Sequence, residues 1–487
     1  MIPLLYRLRE EIRFERRHHS WVVISETPLN VVRVRERAVA VLRLCDGSRT
    51  LAQIAVATAM TEEQVFRLCE YFNKKAILEI ALVTGGDYFP SVTVIIPTKD
   101  RGAELAECLE SVFAQDYLND SVEVIVVDDG SKDGTKALVN SFNCKLLSHE
   151  ISRGQSYCRN IGAREARGEI LAFLDSDCVA GPAWLKEIVN YFSWDRIGAV
   201  GGYVDGYFDN SPLDRYEQTF SPLNMGSHIL YGTDDNSSFY TPTCNLLVRR
   251  KAYIQTGGIR EDMHVGEDVD FCWRMRAKGY DMLYVPVGSV KHKHRNELGK
   301  MLKRRRDYGT SEATLYTLHP EKKKTFQIPL LATISFFSLC AAILLLSMLP
   351  LLASGACFLF EVWMKVVKLA RMGLCIPLWR ICFSVARNFF SFSYFASFHV
   401  VRYYLVALLL LGFAANHVWL LSLFVLLVAS TVDYHLKKPQ LNFLQFLYYY
   451  ILDHVAYQIG VIVGCIGKRT LGSYVPRFVR RAVATSF

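Results

Sequence analysis

Between residues 91 and 295, short aliphatic and β-branched runs alternate with stretches whose apolar positions recur every three or four residues. SVTVIIPT, VEVIVVDDG, EILAFLDSD and GAVGGYV have strand length, and each is followed by a helix or turn signal. That order predicts βαβ units, and so an α/β domain with a Rossmann-like, mostly parallel sheet. Upstream, WVVIS reads as a strand, followed by three helical patterns: RVRERAVAVLRLCDG, TLAQIAVAT and TEEQVFRLCEYFNKKAI. Thr50 and Thr61 stand where N-caps belong, and Gly47 follows the first helix, which suggests a small winged-helix-like module. Gly85-Gly86 and Pro90 mark a linker after it.

Beyond 295 the pattern changes twice. Residues 296–326 are basic and helical, with KRRRDYG and the Lys322–Lys324 run. Runs 328–360 and 403–432 are then almost free of charge and read as membrane-associated. The expected divisions are an N-terminal segment at 1–20, the small module at 21–88, the α/β domain at 89–316 and a hydrophobic helical region at 317–487. If the two apolar runs each crossed once, an outside loop 361–402 would hold Lys365, Lys368, Arg371, Arg380, Arg387 and Arg402 against Glu361. That opposes the positive-inside tendency. Two hairpins dipping into the bilayer fit better, with Arg380 and Arg387 on an interfacial helix, snorkelling toward headgroups. The expected location is the cell membrane, with the α/β domain facing the cytoplasm.

Charge and cysteine usage narrow the class. With 56 Lys and Arg against 47 Asp and Glu, the net charge of +9 is moderate for 487 residues. The 13 cysteines are scattered singly, which disfavours a disulfide framework or a zinc site and suits a reducing compartment. Arg33, Arg35, Arg37 and Arg43 give the small module a basic face. A membrane-attached chain has little use for DNA, so no nucleic-acid partner is expected.

The chemistry concentrates where strands end. Asp100 follows the first strand, Asp128 and Asp129 the second, and Asp175 and Asp177 the third. Ligands of open α/β sheets bind beyond the carboxyl ends of the strands. Negative charges gathered along that edge need a cation or a donor-rich ligand. A nucleoside diphosphate with Mn²⁺ or Mg²⁺ meets the need, because these ions take carboxylate and phosphate oxygens. Further on, GEDVDFCWR places Glu267, Asp268 and Asp270 in the first turn of a helix that ends at Gly279. Acids favour that position whatever else they do.

Taken together, VIIPTKDR, VVDDGSKDGT, RGQSYCRNIGA, AFLDSD and GEDVDFCWR resemble, in order and spacing, glycosyltransferase family 2 with the GT-A fold. The resemblance covers about 200 residues. It implies that Asp129 contacts the base, with Pro97 and Asp100 near the nucleotide. It further implies that Asp177 binds the metal, with Asp175 near ribose or metal, and that Asp268 is the general base of an inverting transfer. Glu267 is expected to cap the helix or orient neighbours, and Asn245 to face the acceptor side. Arg159 and Asn160 would support the nucleotide, and His292 or His294 would add a metal ligand.

The whole layout, with RRRDYGTSEATLYTLHPEKK and DHVAYQIGVIVG, resembles the mycofactocin-system glycosyltransferases, whose N-terminal domain is PqqD-like. That implies UDP-glucose as donor and β-1,4-glucosylation of a peptide-derived redox cofactor precursor. The alternatives are a membrane glycosyltransferase acting on a lipid-phosphate carrier or polysaccharide, and a non-catalytic peptide-binding protein. The QxxRW motif of processive synthases is absent.

Overall fold

The computed structural model describes residues 4–17, 20–26, 28–81, 88–118, 121–232 and 239–480. The Gly85-Gly86 linker lies outside them. In the N-terminal module, Ile12–Arg17, Ser20–Glu26 and Leu29–Val34 form an antiparallel meander. Helices Glu36–Leu44, Leu51–Thr58 and Glu62–Lys74 follow. Thr50 and Thr61 each close a capping box, with Gln53 and Gln64 as the reciprocal partners.

Residues Leu5–Leu8 and Ile12–Arg17 take part in the sheets of this module. Leu5–Leu8 pairs with Leu78–Ala81, Leu5 opposite Ala81, and also with Asp46–Thr50. Tyr6 is fully buried, its hydroxyl donating to Glu70 at 2.7 Å. The pairing is non-local, and charges interrupt the LYRLREE pattern, so periodicity along the chain does not announce it. The module is docked at two places. Phe66 packs edge-on against Trp194 and Tyr231. Val22 and Ile24 join Val362, Leu369 and Ile381 in one apolar cluster.

The central sheet has eight strands: Leu230–Gly232, Asp281–Tyr284, Ile197–Gly201, Asn245–Arg249, Ile170–Leu174, Val92–Thr98, Val122–Asp128 and Lys145–Ser148, in that spatial order. The last four are parallel to one another, while Asn245–Arg249 runs antiparallel to both neighbours, so the sheet is mixed. Val92–Thr98 is buried at every position, as a strand covered by helices on both faces must be. A smaller sheet of Cys178–Ala180, Val290–His292 and Val204–Gly206 sits at the carboxyl edge and pairs Cys178 with His292.

The C-terminal region is helical throughout its apolar stretches. Met348–Arg371, Leu378–Gly412, Asn416–Lys437 and Phe443–Lys468 are each long and apolar enough to cross a membrane, and Leu330–Leu345 is shorter. Residues 361–402, the loop of the disfavoured two-span layout, belong to two helices joined near Gly373. Arg380 pairs with Glu26 of the N-terminal module. Pro350 does not break its helix, because it falls in the first turn, where no backbone N–H is required.

The 21-residue helix Leu298–Leu318, here the cleft helix, joins the α/β domain to these apolar helices. It lies against Phe443–Lys468 with no side chain between the backbones at three points. A Cβ on Gly309 would strike the Tyr457 carbonyl, one on Gly460 the Arg306 carbonyl, and one on Gly464 the Thr310 carbonyl. This is the close approach that a small-xxx-small spacing permits. Arg305 seals the seam, pairing with Glu217 of the α/β domain and with Asp453 Oδ2 at 2.8 Å. Tyr216 donates to the same Asp453 oxygen at 3.2 Å.

Replacing Gly460 with Val should therefore destabilise the detergent-solubilised protein by about 1–3 kcal/mol through overpacking. Gly467, which has open space around its Cα, should accept Ala without loss. Thermal unfolding of both variants beside the parent checks this.

Candidate active site

Beyond the carboxyl ends of the central strands lies a cavity of about 670 Å³. Pro97, Asp129, Arg159, Asp175, Asp177, Glu267, Asp268, His292 and His294 all contribute to its wall. Asp100, Asn160 and Asn245 do not.

Asp129 stands at one end, just past the strand Val122–Asp128, with its N–H donating to the Thr98 carbonyl. Its carboxylate accepts from Ser152 Oγ at 2.6 Å, from Arg153 N at 2.6 Å and from Gly154 N at 2.9 Å. Burial pushes its pKa up, but these donors outweigh it and hold the carboxyl below its ordinary range. Asp100, with φ of +50°, turns outward and accepts from Lys132 N at 2.7 Å. It braces the loop after the second strand.

Asp177 is the most crowded acid. Oδ2 accepts from Arg101 Nη1 at 2.6 Å and Arg295 Nη1 at 3.4 Å. Oδ1 is buried without a hydrogen-bond partner and lies 3.6 Å from His292 Nε2. The small sheet brings that imidazole there, because Cys178 pairs with His292. Ligand atoms of Asp177, Cys178 and His292 lie within 4.8 Å of one another. Burial pushes the Cys178 thiol far up, so it stays protonated. It also pushes the His292 pKa down despite Asp177, favouring the neutral, ligating form. An orphaned carboxylate oxygen beside a neutral imidazole suits a divalent ion, Mn²⁺ better than Mg²⁺ because a nitrogen is present. His294 instead faces Asp214, with Nε2 3.2 Å from Oδ1.

Arg159 is 1% exposed and spans the middle of the cavity floor, reaching Asp175 Oδ1 at 2.6 Å and Glu267 Oε1 at 3.3 Å. Gln155 donates to the same Glu267 oxygen at 2.7 Å. Glu267 is thus held from across the cleft.

Gly266, at φ +82°, turns the chain into the helix Glu267–Ala277 and presents Asp268 to the cavity. Asp268 accepts from Val269 N at 2.8 Å and has no ion-pair partner among the described residues. Burial first, then the charge of Glu267, push its pKa up to about 7. Asp270 points elsewhere, pairing with Arg274 at 2.7 Å and His319 at 2.8 Å.

Two expected site residues are structural. The Asn245 side chain is fully buried, accepting from Trp184 Nε1 at 2.8 Å and donating to the carbonyls of Tyr203 and Gly288 at 2.9 Å each. Its amide knits the central sheet to the small one and has nothing left to offer a ligand. Asn160 donates to the Ile259 carbonyl and to Glu261, and accepts from Tyr253, so it pins the segment leading to Gly266. Conversely, Arg101, Arg295, Arg304, Tyr240 and Tyr308 line the cavity without a site role expected from the sequence, as does Arg402, expected only as a basic flank of an apolar run. Arg101 and Arg295 directly follow site motifs, as KDR and KHKHR, and adjacency was the available signal.

The family model described as Glycosyl transferase family 2 matches residues 93–257. The pre-mycofactocin glycosyltransferase of Mycobacterium tuberculosis is 31% identical over 235 residues, 47% of this chain and 48% of that protein. The chain thus spans about half the length of that relative. Glycosyltransferase AglE of Haloferax volcanii is 30% identical over 236 residues, 47% of this chain and 75% of its own. Among solved structures, the mannosyltransferase PcManGT from Pyrobaculum calidifontis, in complex with GDP-Man and Mn²⁺, is 20% identical with a TM-score of 0.38. It covers 62% of this chain and 88% of that one.

Asn245→Ala should cost stability, about 1–3 kcal/mol, by stranding the Trp184 indole and two carbonyls. Denaturant unfolding checks it; a ligand-facing side chain would show no such cost.

Proposed function

Because the chain belongs to glycosyltransferase family 2, we propose that it transfers a hexose from a nucleotide-sugar donor to an acceptor hydroxyl, with inversion at the anomeric carbon. The observation that carries this reading is the meeting of Asp129, Asp177 with His292, and Asp268 in one cavity. Asp129 and the backbone around Thr98 receive the nucleoside. Asp177 and His292 hold the divalent ion, which when bound neutralises charge on the departing diphosphate. Arg101 and Arg295, already on Asp177, stand beside that diphosphate. Asp268 accepts the proton of the attacking hydroxyl, and its pKa near 7 suits it to do so at neutral pH. Glu267 keeps Asp268 basic through its charge, and Arg159 keeps Glu267 in place.

UDP-glucose is the proposed donor. The proposed acceptor is a peptide-derived redox cofactor precursor of the pre-mycofactocin type, in keeping with the relative from Mycobacterium tuberculosis. The N-terminal module is proposed to be a PqqD-like peptide-binding unit, and the cleft to face the cytoplasm. A second reading, an acceptor carried on a membrane lipid, is favoured by one observation. Arg402 and Tyr457, from helices long and apolar enough to span a membrane, stand in the cavity wall.

Release of UDP from UDP-glucose with Mn²⁺ and acceptor is the assay. Asp268→Asn should lower the rate about 10²–10⁴-fold while the circular dichroism spectrum stays unchanged. The carboxylate form of Asp268 predominates only above its raised pKa. The parental rate should therefore fall about tenfold per unit as pH drops below about 7, and level off above it. Asp177→Ala should abolish Mn²⁺ binding seen by electron paramagnetic resonance, whereas His294→Gln should retain it. Absence of Mn²⁺-dependent release in the parent would favour a non-catalytic binding protein.

A further inference from the structure

Past Asp268 the cavity continues between the cleft helix and the apolar helices. Four cations line this end: Arg304, Arg305, Lys324 and Arg402. Three are already matched. Arg305 pairs with Glu217 and Asp453, Lys324 with Glu312 at 2.8 Å, and Arg402 with Asp453 at 3.4 Å. Arg304 is different. It forms no ion pair with a carboxylate of any described residue, and its guanidinium carbon lies 4.8 Å from the centre of the Tyr308 ring. Glu267 and Asp175 act on it only through space and Tyr308 takes one of its N–H groups, so the rest of its planar fork can meet an anion that enters the cavity.

Which anion follows from position. The diphosphate end has its own arginines, Arg101 and Arg295, at Asp177. Arg304 instead shares its end with Tyr308 and Tyr240, both within electrostatic reach of Asp268. The attacking hydroxyl must approach Asp268 from this side, since the donor occupies the other. Resting on the transfer reading above, we propose that Arg304, flanked by Tyr308, binds an oxyanion of the acceptor, a carboxylate or phosphate close to the hydroxyl that is glycosylated. Arginine suits this because its planar fork grips such a group with two hydrogen bonds. Tyr240 and Tyr308 supply hydroxyls and ring faces for the attached sugar or chain.

The test uses the full-length protein in phosphatidylcholine nanodiscs with Mn²⁺ and UDP, read by titration calorimetry without turnover. The probes are methyl β-D-glucuronide, glucose 6-phosphate and, as the neutral reference, methyl β-D-glucoside. At least one charged probe should bind about tenfold tighter than the neutral one, or more. The better of the two identifies carboxylate or phosphate. Arg304→Gln should erase the difference and Arg304→Lys keep part of it, with UDP affinity moving by less than about twofold in both. Equal binding of all three probes by the parent overturns the proposal, as does a difference that survives Arg304→Gln. A fall in UDP affinity in Arg304→Gln also overturns it, by assigning the arginine to the donor. Missing Mn²⁺-dependent transfer in the parent overturns the transfer reading alone, and a missing charge preference overturns the subsite alone.

Discussion

The buried guanidinium of Arg305 is matched by carboxylates from two different parts of the chain. Glu217 comes from the helix Pro212–Phe220 of the α/β domain, and Asp453 from the last apolar helix. Removing one partner of such a buried group typically costs about 3–5 kcal/mol, because the other charge is left unmatched. The pairing can form only if the cleft helix lies almost in backbone contact with Phe443–Lys468, which Gly309, Gly460 and Gly464 allow. Electrostatic matching and steric clearance therefore set one relation between the sheet edge and the apolar helices. The cavity is the space left inside that relation.

Within the cavity the acids differ in how fully they are satisfied. Asp129 is held by Ser152 and two backbone N–H groups, and Asp175 by Arg159. Asp177 has one oxygen held by arginines and one without a donor. Asp268 has only the N–H of its neighbour. Acids with similar sequence surroundings thus range from one held by three donors to one with a single donor. The depressed pKa of Asp129 and the raised pKa of Asp268 follow the same order.

That gradation explains what could be read from the sequence. The parallel strands were legible because burial on both faces leaves continuous apolar runs, and acids at their ends mark one edge of the sheet. The caps at Thr50 and Thr61 were legible because a capping box is complete within four residues. His292 and His294 could not be told apart, since the choice rests on the pairing of Cys178 with His292, across more than a hundred residues. Asn245 looked like a site residue by likeness, but three partners from Trp184, Tyr203 and Gly288 consume its amide. The strand at Leu5–Leu8 and the helical nature of 361–371 were hidden for another reason. Arg7 interrupts the strand, and Glu361, Lys365, Lys368 and Arg371 interrupt the helix, so neither shows as an unbroken apolar pattern along the chain.

The glycine contact has a mechanical consequence. Two helices in backbone contact at successive turns cannot roll or slide past each other without collision, so they move as one lever. Arg304 and Tyr308 ride on one arm of that lever, and a helix long enough to span a membrane is the other. The wall of the cavity beside Asp268 is thereby fixed to that second helix through a contact with no side chain to yield.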